Sequence, residues 1–520
     1  MTGYSRRSLL KAASGLALAS ISGAAAATPT WLEKKPRFVS YPFTLGVASG
    51  DPFPGGAVIW TRLAPNPLDV DAVGHDPVPV TWEVAEDPKF RKVVQKGGAV
   101  AYHANAHTIH VPVEGLNAAR PYFYRFMAGD EVSPIGRLVT APAVNASVEE
   151  FKFAFASCQQ YEMGYFSAYR DMIDSDVSLI VHLGDYIYES TWNGPLRRVP
   201  VEEARTLDGY RSLHAIYKTD KDLQAAHAFA PFVTTWDDHE VVNDYASEFD
   251  EDYEPPATFL KRRAAAYKAY YEHLPLRASA KPVGPDMRLY QRLFFGDMLE
   301  LNMLDTRQYR TDHPCQIPTE GGWQRIDGSC RERFDPNRTI LGEQQERWFL
   351  GRYGRQGCRW NVMAQGMLFS QHDYRVGEGQ AIGSEYWDGY VESRNRVINR
   401  VKDRQIPNAV CIGGDVHATY VCDVKEDFNN PDSETVMSEF VTTSVTSPNG
   451  FWQRNLENMP ENPHIHHYTG QYRGYTRMTL TKDLLTADMR VVDDVMKQDA
   501  TISTDKSFVV ENGVAGIKPA

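Results

Sequence analysis

The sequence predicts an α/β fold in two parts: an antiparallel β-sandwich near the amino terminus, then a larger domain in which buried strands alternate with helices. Three observations carry this expectation. The chain has 520 residues, 42% of them hydrophobic, enough for more than one core. Its early runs alternate apolar and polar residues with period two, and its later runs are short, continuously apolar and followed by helical patterns.

At the amino terminus, Ser5, Arg6, Arg7, Ser8, Leu9, Leu10 and Lys11 precede a short apolar stretch and the small residues Ala24 to Ala27. This resembles a twin-arginine export signal over residues 1–27, which implies passage through the twin-arginine machinery and a periplasmic or secreted destination. Gly15, Ser20 and Gly23 dilute the stretch below the ~20 apolar residues that a membrane span needs. No later segment is apolar enough to span a bilayer.

Residues 38–142 carry the sandwich pattern: Val78 to Val84, Thr108 to Glu114 and Tyr122 to Ala128, punctuated by Gly and Pro. The stretch from Gly115 to Phe126 resembles the turn and tyrosine-bearing strand of fibronectin III-like domains, and its tyrosines are expected to pack rather than react. A linker, Ala141 to Glu150, follows.

Over residues 151–500 the pattern changes. Strands are expected at Phe151 to Cys158, Val177 to Glu189, Phe232 to Glu240 and Asn408 to His417, with helices at Tyr165 to Ser175, Thr258 to His273 and Gly342 to Arg355. Later strands at Val436 to Thr446, Tyr475 to Thr481 and Leu484 to Val491 indicate a second sheet. Residues 501–520 have weak periodicity and read as a flexible or docking tail.

Lys and Arg total 55 against 67 Asp and Glu, a net charge of −12, which disfavours specific nucleic-acid binding and anionic membranes but suits local cation sites. Of six cysteines, Cys315 and Cys330 bracket a loop where a disulfide is plausible in an oxidising compartment.

In α/β sheets, ligands collect beyond the carboxyl ends of strands. Those ends carry Cys158, Asp185 with Tyr188, Asp238 with His239, and Asp415 with His417. Singly, each has a structural reading, such as a buried thiol, a cap or a core imidazole. Four such ends together point to a site.

The motifs then become recognisable. GDYIY at Gly184 to Tyr188, DHE at Asp238 to Glu240 and GDVH at Gly414 to His417 resemble motifs of the calcineurin-like and purple-acid-phosphatase metallophosphoesterases. Departures from that pattern, SCQ at Ser157 to Gln159, Asp238 for an asparagine and Asp415 for a histidine, resemble the alkaline phosphatase D family, as do LDTRQYR at Leu304 to Arg310 and WDGY at Trp387 to Tyr390. The resemblance implies a metallophosphoesterase-type two-sheet sandwich flanked by helices. It also implies iron(III) and calcium as cofactors, with Cys158, Asp185, Tyr188 and His417 as iron ligands and Asp185, Asp238 and Asp415 serving the second ion. The oxygen-only second set independently favours calcium, magnesium or manganese over zinc.

His239 stands at the position that contacts phosphate in the resembled families, as hydrogen-bond donor or general acid. Asp237 is expected to orient His239, and Tyr186 to line the phosphate pocket. Arg307 is expected to neutralise substrate charge or pair with Asp305, and Asn243 and Asp244 to cap a turn or bind a further calcium. The resemblance implies hydrolysis of phosphate monoesters, and of diesters, by metal-activated water at alkaline pH. The alternatives are a phospholipase D-like phosphodiesterase acting on phospholipid and a metal-stabilised, non-catalytic surface-binding protein. Substrate choice is expected in the loops Asp312 to Pro336 and Tyr374 to Trp387.

Overall fold

The strands Glu150–Ala156 and Leu179–His182 carry Phe153, Phe155, Leu179 and Val181 on one face and Ala154, Ala156 and Ile180 on the other, so both faces must be covered. In the computed structural model, which describes residues 35–317 and 321–520, they lie in the middle of a ten-stranded sheet. The expected export signal, residues 1–27, lies outside the described residues. Leu179 pairs in parallel with Phe153, Ile180 with Phe232, and Gly50 with Phe232, so four parallel strands form the centre of the sheet.

A second sheet of seven strands has its own parallel centre, in which Leu299–Met303, Trp360–Ala364, Ala409–Gly413 and Thr435–Val441 run side by side. The two sheets stack face to face over one core that includes Phe153, Phe155, Val181, Val233, Leu301, Val362 and Ile412, all 0% exposed. The outer face of the first sheet is covered by Ala168–Asp174, Leu207–Tyr217, Lys221–Phe229 and Pro256–His273, whose apolar residues build a second core. Gly342–Arg352 and Val391–Arg404 cover the second sheet in the same way. The result is a two-sheet sandwich with helices on both outer faces, and both parallel centres direct their carboxyl ends to one side.

Two expectations change. Strands from residues 38–142 form two layers, but one of these layers is the end of the ten-stranded sheet: Val47–Phe53, Gly56–Arg62 and Thr108–Val113 extend it beyond Phe232–Thr234. The other is a separate sheet of Val93–Ala101, Val78–Ala85, Pro121–Ala128 and Glu131–Val132, with Gly136–Val139 also on Pro121–Ala128. Tyr122 and Tyr124 pack between the layers as expected, and Tyr122 Oη accepts from the Asn117 amide at 3.0 Å. The residues read as a tail, 501–520, are strands. Ile502–Glu511 pairs along Leu484–Val492 and Lys518–Pro519 closes the edge, with Phe508, Val510 and Ile517 anchored in the inter-sheet core. The alternation of Ile502–Glu511 is weak because its first half, Ile502 to Ser507, has no buried residue on either face, and only Phe508 and Val510 reach the core.

Cys315 and Cys330 form a disulfide, as expected, and Cys158, Cys358, Cys411 and Cys422 are free and buried. Among the described residues, no helix is long and apolar enough to cross a membrane.

Candidate metal centre at the strand ends

The chain turns sharply where the parallel strands end, and the candidate ligands occupy those turns. Cys158, Asp185, Asp415 and His417 have φ of 58°, 55°, 66° and 50°, a region L-residues avoid. Such conformations cost on the order of 1–3 kcal/mol each and persist where surrounding packing enforces them, commonly at functional sites. Gly184, with φ 118°, lets the first loop approach the second: a Cβ there would lie 2.5 Å from the Asp237 backbone nitrogen.

Buried Glu240 ties these loops together. Its Oε2 accepts from the Asp185 and Asp237 amides at 3.1 and 2.9 Å, and its Oε1 from the Tyr186 amide at 2.6 Å. Burial and the nearby Asp237 push its pKa up to about 8 despite those donors.

The loops from both sheets converge. Cys158 Sγ, a carboxylate oxygen of Asp185 and a ring nitrogen of His417 lie within 4.8 Å of one another. Tyr188 Oη sits among them, 3.1 Å from Asp185 Oδ2, 3.1 Å from His417 Nε2 and 2.6 Å from Ser447 Oγ. His417 Nδ1 lies 3.0 Å from the Pro448 carbonyl, which fixes the proton on Nδ1 and leaves the Nε2 lone pair facing the cluster. Burial lowers the His417 pKa to about 4, so the imidazole is neutral, as a ligand must be.

A second cluster adjoins the first. Ligand atoms of Asp237, Asp238 and Asp415 lie within 4.8 Å of one another, as do those of Asp185, Asp238 and His239, and of Asp238, Asp244 and Glu385. Against these carboxylates stand three cationic groups, Arg307, Arg310 and His239. Burial, together with repulsion from Asp237 and Asp238, raises the pKa of both Asp185 and Asp415 well above the carboxylate range. Asp185 Oδ1 and Asp415 Oδ2 are buried without a hydrogen-bond partner in the protein. Excess buried carboxylate with free lone pairs fits bound cations: sulfur, nitrogen and oxygen donors on one side, oxygen on the other.

The structure assigns different partners to three supporting residues. Asp237 does not orient His239. It takes a two-pronged bond from Arg307, Nε to Oδ1 at 2.7 Å and a terminal nitrogen to Oδ2 at 3.0 Å. The same guanidinium pairs with Glu385 and lies 3.5 Å from Asp238 Oδ2. Arg307 is therefore engaged inside the protein, while Asp305 Oδ1 accepts the Arg307 and Gln308 backbone amides and its Oδ2 accepts from Gln308 Nε2, all at 3.0 Å. Tyr186 does not line a pocket: its hydroxyl is 2.7 Å from His227 Nε2, in the helix-side core.

His239 is held by Glu189, Oε2 to Nδ1 at 2.7 Å, and its ring lies 4.2 Å from that of Tyr188, leaving Nε2 for the site. Burial disfavours the imidazolium, but Glu189, Asp238 and Asp185 outweigh it and raise the His239 pKa. Asn243 supports the loop, its amide donating to Glu189 Oε1 at 3.1 Å and its side chain to Glu251 at 3.0 Å. The Asp244 amide caps Asp238 Oδ2 at 2.7 Å, and the Asp244 carboxylate also reaches the oxygen cluster. Glu189, Glu240 and Glu385 escaped sequence reading. Glu240 closes the DHE motif without an expected role, Glu189 directly follows the motif residue Tyr188, and no local pattern marks Glu385.

Beside the cluster opens a groove of about 730 Å³, reached by Asp415 and His417 and walled by Trp192, Trp323, Tyr374, Tyr386 and Phe451, with Arg325 and Arg454. Trp323, Arg325, Tyr374 and Tyr386 come from the two loops expected to govern substrate choice. Those loops pair as Arg325–Asp327 against Ala381–Gly383, and the Cys315–Cys330 disulfide staples the first. A larger cavity of about 950 Å³, at Arg277, Arg288, Trp348 and Arg352, shares no residue with the cluster.

Comparison with known proteins agrees with this arrangement. Residues 153–489 match the model of the PhoD-like phosphatase, and residues 25–142 that of the PhoD-like phosphatase N-terminal domain. The chain is 44% identical over 492 residues to alkaline phosphatase D of Bacillus subtilis (strain 168), covering 93% of this chain and 83% of that protein. A solved structure described as the structure of PhoD superposes with a TM-score of 0.88 at 44% identity, covering 93% of each chain. The chain is a phosphoric ester hydrolase and belongs to the PhoD-like phosphatase family.

Proposed function

We propose that this phosphatase is metal-dependent and hydrolyses phosphate monoesters, and diesters, at alkaline pH, after twin-arginine export to the periplasm or medium. The observation that carries the reading is the meeting of Cys158, Asp185, Tyr188 and His417 beside an oxygen-only set of Asp238 and Asp415. Phenolate, thiolate and carboxylate would suit iron(III), and the carboxylates would suit calcium; we assign the ions accordingly, with Asp185 belonging to both donor groups. When bound, the ions supply an acidified water and positive charge over the phosphoryl oxygens.

The chain's own residues do the rest. Glu189 keeps the proton on His239, whose Nε2 donates to a phosphate oxygen or to the leaving alkoxide. Arg307 holds Asp237, Asp238 and Glu385 in register, and Glu240 fixes the two loops that carry Asp185 and Asp238. Ser447 and Pro448 position Tyr188 and His417.

A phosphodiesterase reading, including phospholipid headgroup release, is favoured by the groove: exposed Trp192, Trp323 and Phe451 offer apolar surface for a second ester substituent. The test is metal analysis of the exported protein with turnover of p-nitrophenyl phosphate and of its bis ester. Iron with calcium and turnover of the monoester support the assignment. Zinc alone overturns the ion assignment, and preference for the bis ester makes the diesterase reading the correct one.

A further inference from the structure

A third group of ligand-type side chains shares no residue with the strand-end cluster. Asp71 lies in the short turn Val70–Val73, His75 follows it, and His103 opens the turn His103–Asn105. Their ligand atoms all lie within 4.8 Å of one another. His103 Nε2 is 2.7 Å from Asp71 Oδ1, His75 Nε2 is 3.9 Å from the same oxygen, and the two imidazole centroids are 4.2 Å apart.

The turns that present them are fixed by their own hydrogen bonds. Asp69 caps the first turn by accepting from the Asp71 amide at 3.0 Å, and the Gly74 amide, where φ is 87°, returns to the Asp71 carbonyl at 2.8 Å. His107 Nε2 lies 2.9 Å from the Gly74 carbonyl, which ties the first turn to the segment just beyond the second. His103 is hydrogen-bonded to Asp71, and His75 joins the same oxygen as a looser ion pair while meeting the His103 ring edge-on, so the three ligand atoms stand around one point on the surface.

The separations have a simple chemical match. In tetrahedral coordination with metal–ligand bonds of about 2.0–2.1 Å, ligand atoms stand about 3.3 Å apart. The observed 2.7 and 3.9 Å lie on either side of that value, within reach of small side-chain rotations. Two imidazoles with one carboxylate form a donor set for zinc and its neighbours, unlike the oxygen-rich strand-end set. We propose that Asp71, His75 and His103 form a surface zinc site, with water completing the coordination, that clips the segment around Val70–Val73 to the turn His103–Asn105.

The test is calorimetric titration of the full-length, metal-replete protein with zinc alone at pH 7.5, comparing wild type with His75→Ala and His103→Ala. The expected result is one zinc equivalent more in wild type than in either variant, with p-nitrophenyl phosphate turnover the same in all three. Cobalt in place of zinc is expected to give wild type a visible d–d spectrum of four-coordinate type that both variants lack. Equal zinc stoichiometry in all three proteins overturns the proposal, as does a cobalt spectrum unchanged by the substitutions. Binding lost together with turnover also overturns it, because the zinc then belongs to the strand-end cluster.

Discussion

Glu189 Oε2 lies 2.7 Å from His239 Nδ1 while its Oε1 takes the Asn243 amide, so one carboxylate fixes both the ring and the loop beyond it. Because Glu189 helps raise the His239 pKa, the imidazolium persists to higher pH than a free histidine. Glu189→Gln keeps the size but removes the charge. The alkaline limb of the kcat/KM profile for p-nitrophenyl phosphate is expected to move to lower pH; an unmoved limb would separate His239 protonation from catalysis.

Removing the imidazole itself tests its role more directly. His239→Ala is expected to lower turnover by about 10²–10⁴-fold, the usual worth of a general acid, with iron and calcium content unchanged. Loss of iron from that variant would make His239 a ligand rather than a proton donor.

Tyr188 supplies an optical signature. Its hydroxyl is within 3.1 Å of both Asp185 and His417, and burial with Asp185 alongside raises its pKa, so an ionised phenolate there requires a cation to stabilise it. If iron(III) binds at this position, the protein absorbs in the visible by phenolate-to-iron charge transfer. Tyr188→Phe is expected to abolish that band. A band of undiminished intensity in the variant would remove Tyr188 from the ligand set.

How much of this was legible follows from what each residue depends on. Cys158, Asp185, Tyr188, Asp238, Asp415 and His417 could be found because each sits just past an apolar strand, and strand ends are visible in a linear pattern. Their meeting depends on two sheets stacking with carboxyl ends aligned, which the local pattern does not encode but the motif resemblance implied. Partner choice was harder. Arg307 is two residues from Asp305 in sequence, yet its guanidinium goes to Asp237 and Glu385, 70 and 78 positions away, because those carboxylates are buried and need charge compensation. Tyr186 was misplaced for a related reason: in its turn, Asp185 and Tyr188 face the cluster while Tyr186 goes into the helix-side core. The strand Ile502–Glu511, next to the sheet edge, was missed because its first six residues bury no side chain on either face, leaving only Phe508 and Val510 to mark the pattern.

Arg307 is the structural cation of the site. Arg307→Met is expected to leave Asp237 buried without its partner, with Asp238 and Glu385 compensated only by His239 and Arg310, and to destabilise the fold by about 3–5 kcal/mol, the cost of breaking a buried ion pair from one side. Arg307→Lys retains charge but not the two-pronged geometry and should fall between. Urea unfolding at fixed calcium checks the order wild type, lysine, methionine. Wild-type stability in Arg307→Met would show that bound cations alone compensate the carboxylates.

The last expectation concerns the interior behind the site. Lys218, 1% exposed, ends the helix Leu207–Tyr217 with its Nζ 4.7 Å from the Trp60 ring centroid and 5.5 Å from that of Tyr186. No carboxylate lies within 4.0 Å of it among the described residues, and burial lowers its pKa to about 7. In the unfolded chain a lysine titrates near about 10.4, so between these values the unfolded state binds the additional proton. Stability therefore rises with pH across that window, by up to about 1.4 kcal/mol per pH unit from this residue. Below pH 7 both states hold the proton, and the buried ammonium is a standing cost. Lys218→Met removes the charge and keeps most of the stem, so the variant is expected to gain stability at pH 7 and to gain progressively less as pH approaches 9. Urea unfolding of both proteins at pH 7, 8 and 9, with metals buffered, isolates this contribution because every other titrating group cancels in the difference. A wild-type-to-variant gap that stays constant across the three pH values would mean that Lys218 keeps its proton in the fold, held by the faces of Trp60 and Tyr186.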